Sequence, residues 1–200
     1  MDSLLNRFDI TASDFFTPVG LSLQVAIIAM IIVFILGTCA AYFMNKYDFP
    51  GKIVLETLFL LPIVLPPTVI GFILLMMFGS SSFIGTMIDW IFDRSIIFTW
   101  YAAILASSVV AFPLMYQAAK VGFAGVDKEV HEQAQVDGAT NFQVFYKITL
   151  PLVATALISG GILSFARAIG EFGATLMIAG NIPGRTQTLP TAIYVEMQSG

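Results

Sequence analysis

One cysteine and one histidine in 200 residues leave little for chemistry to use. Cys39 lies inside an apolar run, so neither an internal disulfide nor a cysteine-based zinc site can be assembled from this chain. His131 has no paired nucleophile or metal-ligand cluster beside it, so no catalytic residue and no metal site is nominated. Charge is scarce as well. Only 11% of residues are charged, 9 basic against 13 acidic, for a net charge of −4. No basic stretch is interleaved with aromatic residues, which argues against a nucleic-acid partner. A phosphate-cradling G-x-x-x-x-G-K-[ST] is absent, because Gly51-Lys52 lacks both the preceding glycine and the following hydroxyl. What fills the chain instead is apolar surface, at 58% of residues. A soluble domain carries roughly 45–50%, so this composition suits a lipid bilayer.

A helix crossing a hydrocarbon layer ~30 Å thick needs ~20 mostly apolar residues. Four runs meet that length: 18–44, 53–78, 96–119 and 150–179. They predict an all-α integral membrane protein with a single transmembrane domain over 1–200. The first run is too long for the apolar core of a cleavable signal and has no basic segment directly before it, so it is expected to remain as an anchor. The stretch IGTMIDWIF, holding Asp89, is too short to span and reads as an interfacial or re-entrant helix. Orientation follows from the basic residues. Lys46, Lys52, Lys120, Lys128 and Lys147 share one side, whereas Arg7, Arg94 and Arg185 share the other. Because lysine and arginine concentrate in cytoplasmic loops, the N-terminus is expected outside. Four spans then leave Gly200 outside too, and a fifth span is expected beyond it.

The polar interruption at 127–149 carries dense helix punctuation. Asp127 can N-cap a helix that Glu129 supports at its positive end, and Gly138 can end it in a left-handed conformation. Thr140 and Gln143 form a T-x-x-Q capping box that opens a second short helix. Val130 and Ala134 share one side of the first helix, while Phe142, Phe145 and Ile148 recur every three residues in the second. This elbow is either a docking surface for a partner's groove or an ordinary amphipathic segment beside the membrane.

Two further groups suggest a path through the bilayer. Pro62, Pro66 and Pro67 interrupt the second run, and Gly71 leaves room for a close approach; such a helix should be kinked or broken. Irregular backbone at membrane depth is tolerated where it is buried or lines water, which makes Pro66, Pro67 and Thr68 candidates for the path, with simple packing the alternative. In the fourth run Gly160, Ser164, Arg167 and Glu171 share one helical face. Arg167 and Glu171 are spaced i, i+4 for pairing, and they either face a cavity or gate or snorkel to the interface. Gly160 and Ser164 also suit close helix packing.

The elbow contains Glu132-Gln133-Ala134, three residues, Gly138, nine residues, then Ile148-x-Leu150-Pro151. This closely resembles the E-A-A…G…I-x-L-P signature of ABC-importer permeases, with Gln133 where the family usually has alanine. The resemblance implies that the elbow seats on a separate ABC ATPase subunit, with Glu132 as a polar docking contact and Gly138 as the turn. ATP and magnesium would then belong to that partner, and no cofactor to this chain. Further stretches, FPGK at 49–52, LPIVLPPTVIGFILL at 61–75 and FARAIGEFGATLMIAGNIPGRTQTLPTAIY at 165–194, look like permeases of the molybdate type. That resemblance implies a homodimeric pore in the bacterial cytoplasmic membrane and an extracytoplasmic binding protein that delivers molybdate. It also implies five core spans with the N-terminus outside. Related permeases serve tungstate and sulfate. Outside this family, a secondary transporter would need coupling carboxylates at midplane, and Glu171 is the one acid well inside a span; a membrane scaffold remains the other alternative.

Overall fold

A computed structural model describes residues 12–199, and it is helical throughout its regular elements. Arg7 and Gly200, the two positions on which the orientation at the termini was argued, lie outside the described residues. Helix α1 spans Ala12–Lys46, longer than the apolar run because polar residues at both ends continue the helix. Helix α5, Trp100–Ala124, begins where the Thr99 hydroxyl accepts the Ala102 N–H at 3.4 Å. It continues past Lys120, whose ammonium is held by Glu56 at 2.8 Å and so does not end the span.

The second run is broken, as its prolines predict. Helix α2, Lys52–Val64, and helix α3, Pro67–Phe78, meet at a bend of 118°. Leu65 and Pro66 are both extended, the conformation that a following proline ring imposes, and Pro67 then opens α3 at a position where its missing N–H costs nothing. At ~1.5 Å per residue neither half crosses ~30 Å of hydrocarbon alone. Beyond α3, Ser82 caps the short helix α4, Phe83–Phe92, by accepting the Gly85 N–H at 2.9 Å. Phe83 and Trp90 lie outward on α4, at 81% and 86% exposure, which suits the interfacial helix expected there.

The fourth run corrects the expected boundaries at both ends. Helix α6 spans Lys128–Val136, and the capping box predicts the short α7, Asn141–Val144, as a separate piece ahead of the span. Instead α7, a wider π turn at Phe145–Thr149 and α8, Leu150–Ile169, form one continuous run over Asn141–Ile169. The wide turn falls immediately ahead of Pro151, where an ordinary i−4 bond could not form. At the other end α8 stops at Ile169, and a second short helix, α9 at Gly173–Ala179, follows. The stop has a local cause: the Glu171 carboxylate accepts the Ala174 N–H at 2.7 Å and so caps α9. Helix α10, Leu189–Ser199, starts with the Leu189 N–H donated to the Ser22 hydroxyl at 2.7 Å.

Two apolar clusters hold these elements together. In one, Ala29 and Ala41 of α1 meet Ala111, Met115 and Ala119 of α5 and Val153 and Leu157 of α8. In the other, Ile70 and Leu74 of α3 meet Ala102 and Ala106 of α5 and Ala174 and Ile178 of α9. Small residues dominate both seams, and in lipid they let helix backbones approach closely enough for dispersion to bind them. Helix α5 therefore forms the central post, with the elbow at one end and the α4 and α9 elements at the other.

Candidate functional site

The elbow is built from short-range bonds. Asp127 Oδ1 accepts the Glu129 N–H at 3.1 Å and starts α6. Helix α6 ends in a full Schellman closure, with the Gly138 N–H donated to the Gln135 carbonyl and the Ala139 N–H to the Ala134 carbonyl, both at 3.0 Å. Gly138 takes φ +86°, the left-handed conformation that glycine adopts without strain. The Thr140 and Gln143 side chains then exchange bonds with each other's backbone, at 3.3 and 2.9 Å, as the capping box requires. Each of these devices was legible in the sequence because each spans six residues or fewer.

The faces sort differently from the three-residue periodicity. Phe145 turns inward, its ring 4.8 Å from that of Tyr42, and Ile148 is half-buried. Phe142 and Tyr146 point outward as a stacked pair with centroids 6.3 Å apart, and Val136 beside the turn is 87% exposed. The i, i+4 spacing of Phe142 and Tyr146 was the signal for that outer face, and it was missed. Among the motif residues, Glu132, Gln133, Gly138 and Pro151 are exposed, while Ala134 and Leu150 are half-buried. The motif thus presents a polar and apolar surface at the tip of a helix that runs uninterrupted to Ile169.

The path candidates divide into two groups. Gly160 and Ser164 pack against a neighbouring helix: they are fully buried against α5, where a Cβ on Gly160 would stand 2.7 Å from that of Ala118 and the Ser164 hydroxyl donates to the Ala111 carbonyl at 3.4 Å. Their shared helical face is real, but helix α5 occupies that part of it. Arg167, by contrast, lines a cavity of about 260 Å³ together with Pro62, Ile63, Leu65, Pro67, Val110 and Leu114. Pro66 and Thr68 flank that break and are exposed. Arg167 Nη1 lies 2.6 Å from Glu171 Oε2, and the Glu171 side chain is only 1% exposed against 31% for Arg167. The predicted i, i+4 pair is therefore present, although Glu171 lies beyond the end of α8.

Helices α3 and α9 meet at this same break. A Cβ on Gly71 would stand 2.7 Å from Met177 Cβ and 2.8 Å from the Ala174 backbone, so only glycine allows the approach. A larger cavity of about 470 Å³ lies between α1, α2 and α5, but Ser108 and Tyr101 bring the only polar side-chain groups to a lining that includes Ile32, Leu58 and Phe112. Such a surface suits hydrocarbon and offers an anion no compensation for lost water. One contact escaped the sequence altogether. Glu56 reaches Lys120 across 64 positions, with the Tyr116 hydroxyl 3.5 Å from the same carboxylate oxygen, and this cluster ties α2 to α5 near the elbow.

Among known proteins, YvgM of Bacillus subtilis (strain 168), described as "Putative molybdenum transport system permease protein", is 62% identical over 191 residues, covering 96% of this chain and 84% of that one. The molybdenum transport system permease protein ModB of Escherichia coli (strain K12) is 42% identical over 180 residues, covering 90% and 78%. The fold matches a chain in the crystal structure of a bacterial ABC transporter that imports the acidic polysaccharide alginate, with TM-score 0.78 at 19% identity, over 100% of this chain and 73% of that one. The family described as "Binding-protein-dependent transport system inner membrane component" matches residues 33–199. The chain, with its elbow and its broken membrane helices, belongs to that family of transporter inner-membrane components.

Proposed function

We propose that this chain is the permease subunit of an ATP-driven molybdate importer, working as a homodimer with two ABC ATPase subunits and an extracytoplasmic binding protein. The observation that carries the reading is the elbow. Its rigid caps and outward Val136, Phe142 and Tyr146 form a surface suited to a partner's groove. Glu132 and Gln133 supply polar contacts on the same segment. ATP with magnesium is bound and hydrolysed on the ATPase subunit, and this chain binds no cofactor of its own.

Transmission follows from continuity. The run Asn141–Ile169 carries the elbow at one end and Arg167 near the other, so movement of the ATPase is delivered along one helix to the cavity beside Pro67. Substrate crosses there, at the break between α2 and α3, past Pro66, Pro67, Thr68 and the Arg167–Glu171 pair. Ile158, Ile162 and Leu163 form an α8 surface that this chain leaves uncovered, available to a second copy or to lipid. Molybdate as substrate is supported by the molybdenum transport permeases at 62% and 42% identity.

Purification in mild detergent tests the assembly. One ATPase subunit per copy of this chain is expected, and absence of any ATPase under nucleotide-stabilised conditions would favour the scaffold reading. Uptake by the assembled complex should then fall when unlabelled molybdate competes, and a stronger effect from sulfate would reassign the substrate. The proposed orientation has the N-terminus outside and the elbow in the cytoplasm, as the basic residues predict. Cysteine introduced at Gly184, an exposed position in the turn before α10, should react with an impermeant maleimide in intact cells. Cysteine at Gln133 should react only after the cells are opened, and the reverse pattern would invert the topology.

A further inference from the structure

The cavity beside the α2–α3 break is lined by seven residues, of which Arg167 alone is charged. A doubly charged oxyanion entering it gives up water and meets a single guanidinium, which has five N–H donors and is always protonated. Left uncompensated in such surroundings, that group would hold a dianion tightly, yet a transport path must release what it admits. The charge is not uncompensated. Glu171, fully buried, sets Oε2 2.6 Å from Arg167 Nη1, while its Oε1 is fixed by the Ala174 N–H at 2.7 Å. One carboxylate thus caps α9 and pairs with Nη1 of the guanidinium, and Arg167 lines the cavity.

Resting on the reading of this cavity as the path, we infer that Arg167 is the residue that contacts the passing oxyanion, and that Glu171 is a positioning residue that keeps this contact weak. The burial of Glu171 and its double engagement fix the compensating charge in place, so affinity at Arg167 is set by the fold rather than by mobile ions. Neutralising Glu171 removes a negative charge adjacent to the anion site. Glutamine retains the carbonyl oxygen needed to accept the Ala174 N–H, so the α9 cap can survive the exchange.

The test uses the permease assembled with its ATPase subunit, without binding protein, and measures equilibrium binding of radiolabelled molybdate at low ionic strength. Uptake is measured in parallel after reconstitution with the loaded binding protein. Glu171→Gln is expected to bind molybdate roughly tenfold more tightly and to import it roughly tenfold more slowly. Adding Arg167→Gln to that variant should return binding to a level below wild type. A merely structural ion pair would not produce tighter anion binding on losing its acid. Should Glu171→Gln fail to assemble, Glu171→Asp decides, because it keeps the charge but withdraws it by one methylene, and a smaller tightening is expected. Unchanged or weaker binding in the assembled Glu171 variant overturns the compensation, even if Arg167→Gln still impairs uptake. If Arg167→Gln alone leaves binding and uptake at wild-type levels, the cavity is not the path, and the reading on which the inference rests falls with it.

Discussion

Gly138→Val is expected to abolish import while leaving the chain inserted in the membrane. The effect is conformational rather than steric, since a Cβ at Gly138 would meet nothing within 4 Å. At φ +86°, however, a side chain collides with its own backbone, at a cost of roughly 1–2 kcal/mol for an ordinary residue and more for a β-branched one. The relaxed turn loses the two bonds to the Gln135 and Ala134 carbonyls, and the exposed Val136 and the Phe142–Tyr146 pair no longer share one surface. Co-purification of the ATPase subunit should fall more than tenfold, and uptake with it. Gly138→Asn serves as the control, because asparagine tolerates the left-handed region, and it should retain most activity. Glu132→Arg should uncouple by a different route, reversing charge on an exposed contact without touching the turn. Wild-type uptake by Gly138→Val would remove the elbow from the coupling machinery.

The second large effect belongs to Gly71, where the arithmetic is reversed. There the backbone is an ordinary helix and the space is absent: an added Cβ stands 2.8 Å from both the Cα and the carbonyl oxygen of Ala174. Backbone atoms cannot rotate aside, so even alanine must separate α3 from α9. Gly173 answers from the other helix, with a Cβ there 3.0 Å from Thr68 Cγ2 and 3.2 Å from Thr68 N. Overpacking of this kind typically costs about 1–3 kcal/mol, and the displaced element is the one capped by Glu171. Gly71→Ala should lower the thermal midpoint of the purified complex and cut uptake severely. Equal midpoints and full uptake for Gly71→Ala would mean that α3 and α9 do not meet as described.

The contrast between these glycines shows where sequence reasoning succeeds. At Gly138 the requirement is set by neighbours within four residues, and the same holds for the Asp127 cap, the Thr140 and Gln143 box and the spacing of Arg167 from Glu171. Local bonds depend on local order, so the chain states them directly. Gly71 was recognisable as a point of close approach, but nothing near it named Ala174 or Met177 as what approaches. The periodicity that joined Phe142 to Phe145 failed because both residues are aromatic, and only Tyr42 on a distant helix decides which one turns inward.

From the amino-acid order alone came the membrane class, the four apolar runs, the proline break and the elbow, because hydropathy, proline geometry and capping act within a turn or along one run. The tertiary structure decided the rest: the 118° bend, the burial of Gly160 and Ser164 on α5, the reach of Glu56 to Lys120, and the placing of Arg167 as the one charged residue lining the cavity beside the break. Each of those depends on which helix faces which, and in a bilayer that choice is made by close packing between surfaces that hydropathy cannot tell apart.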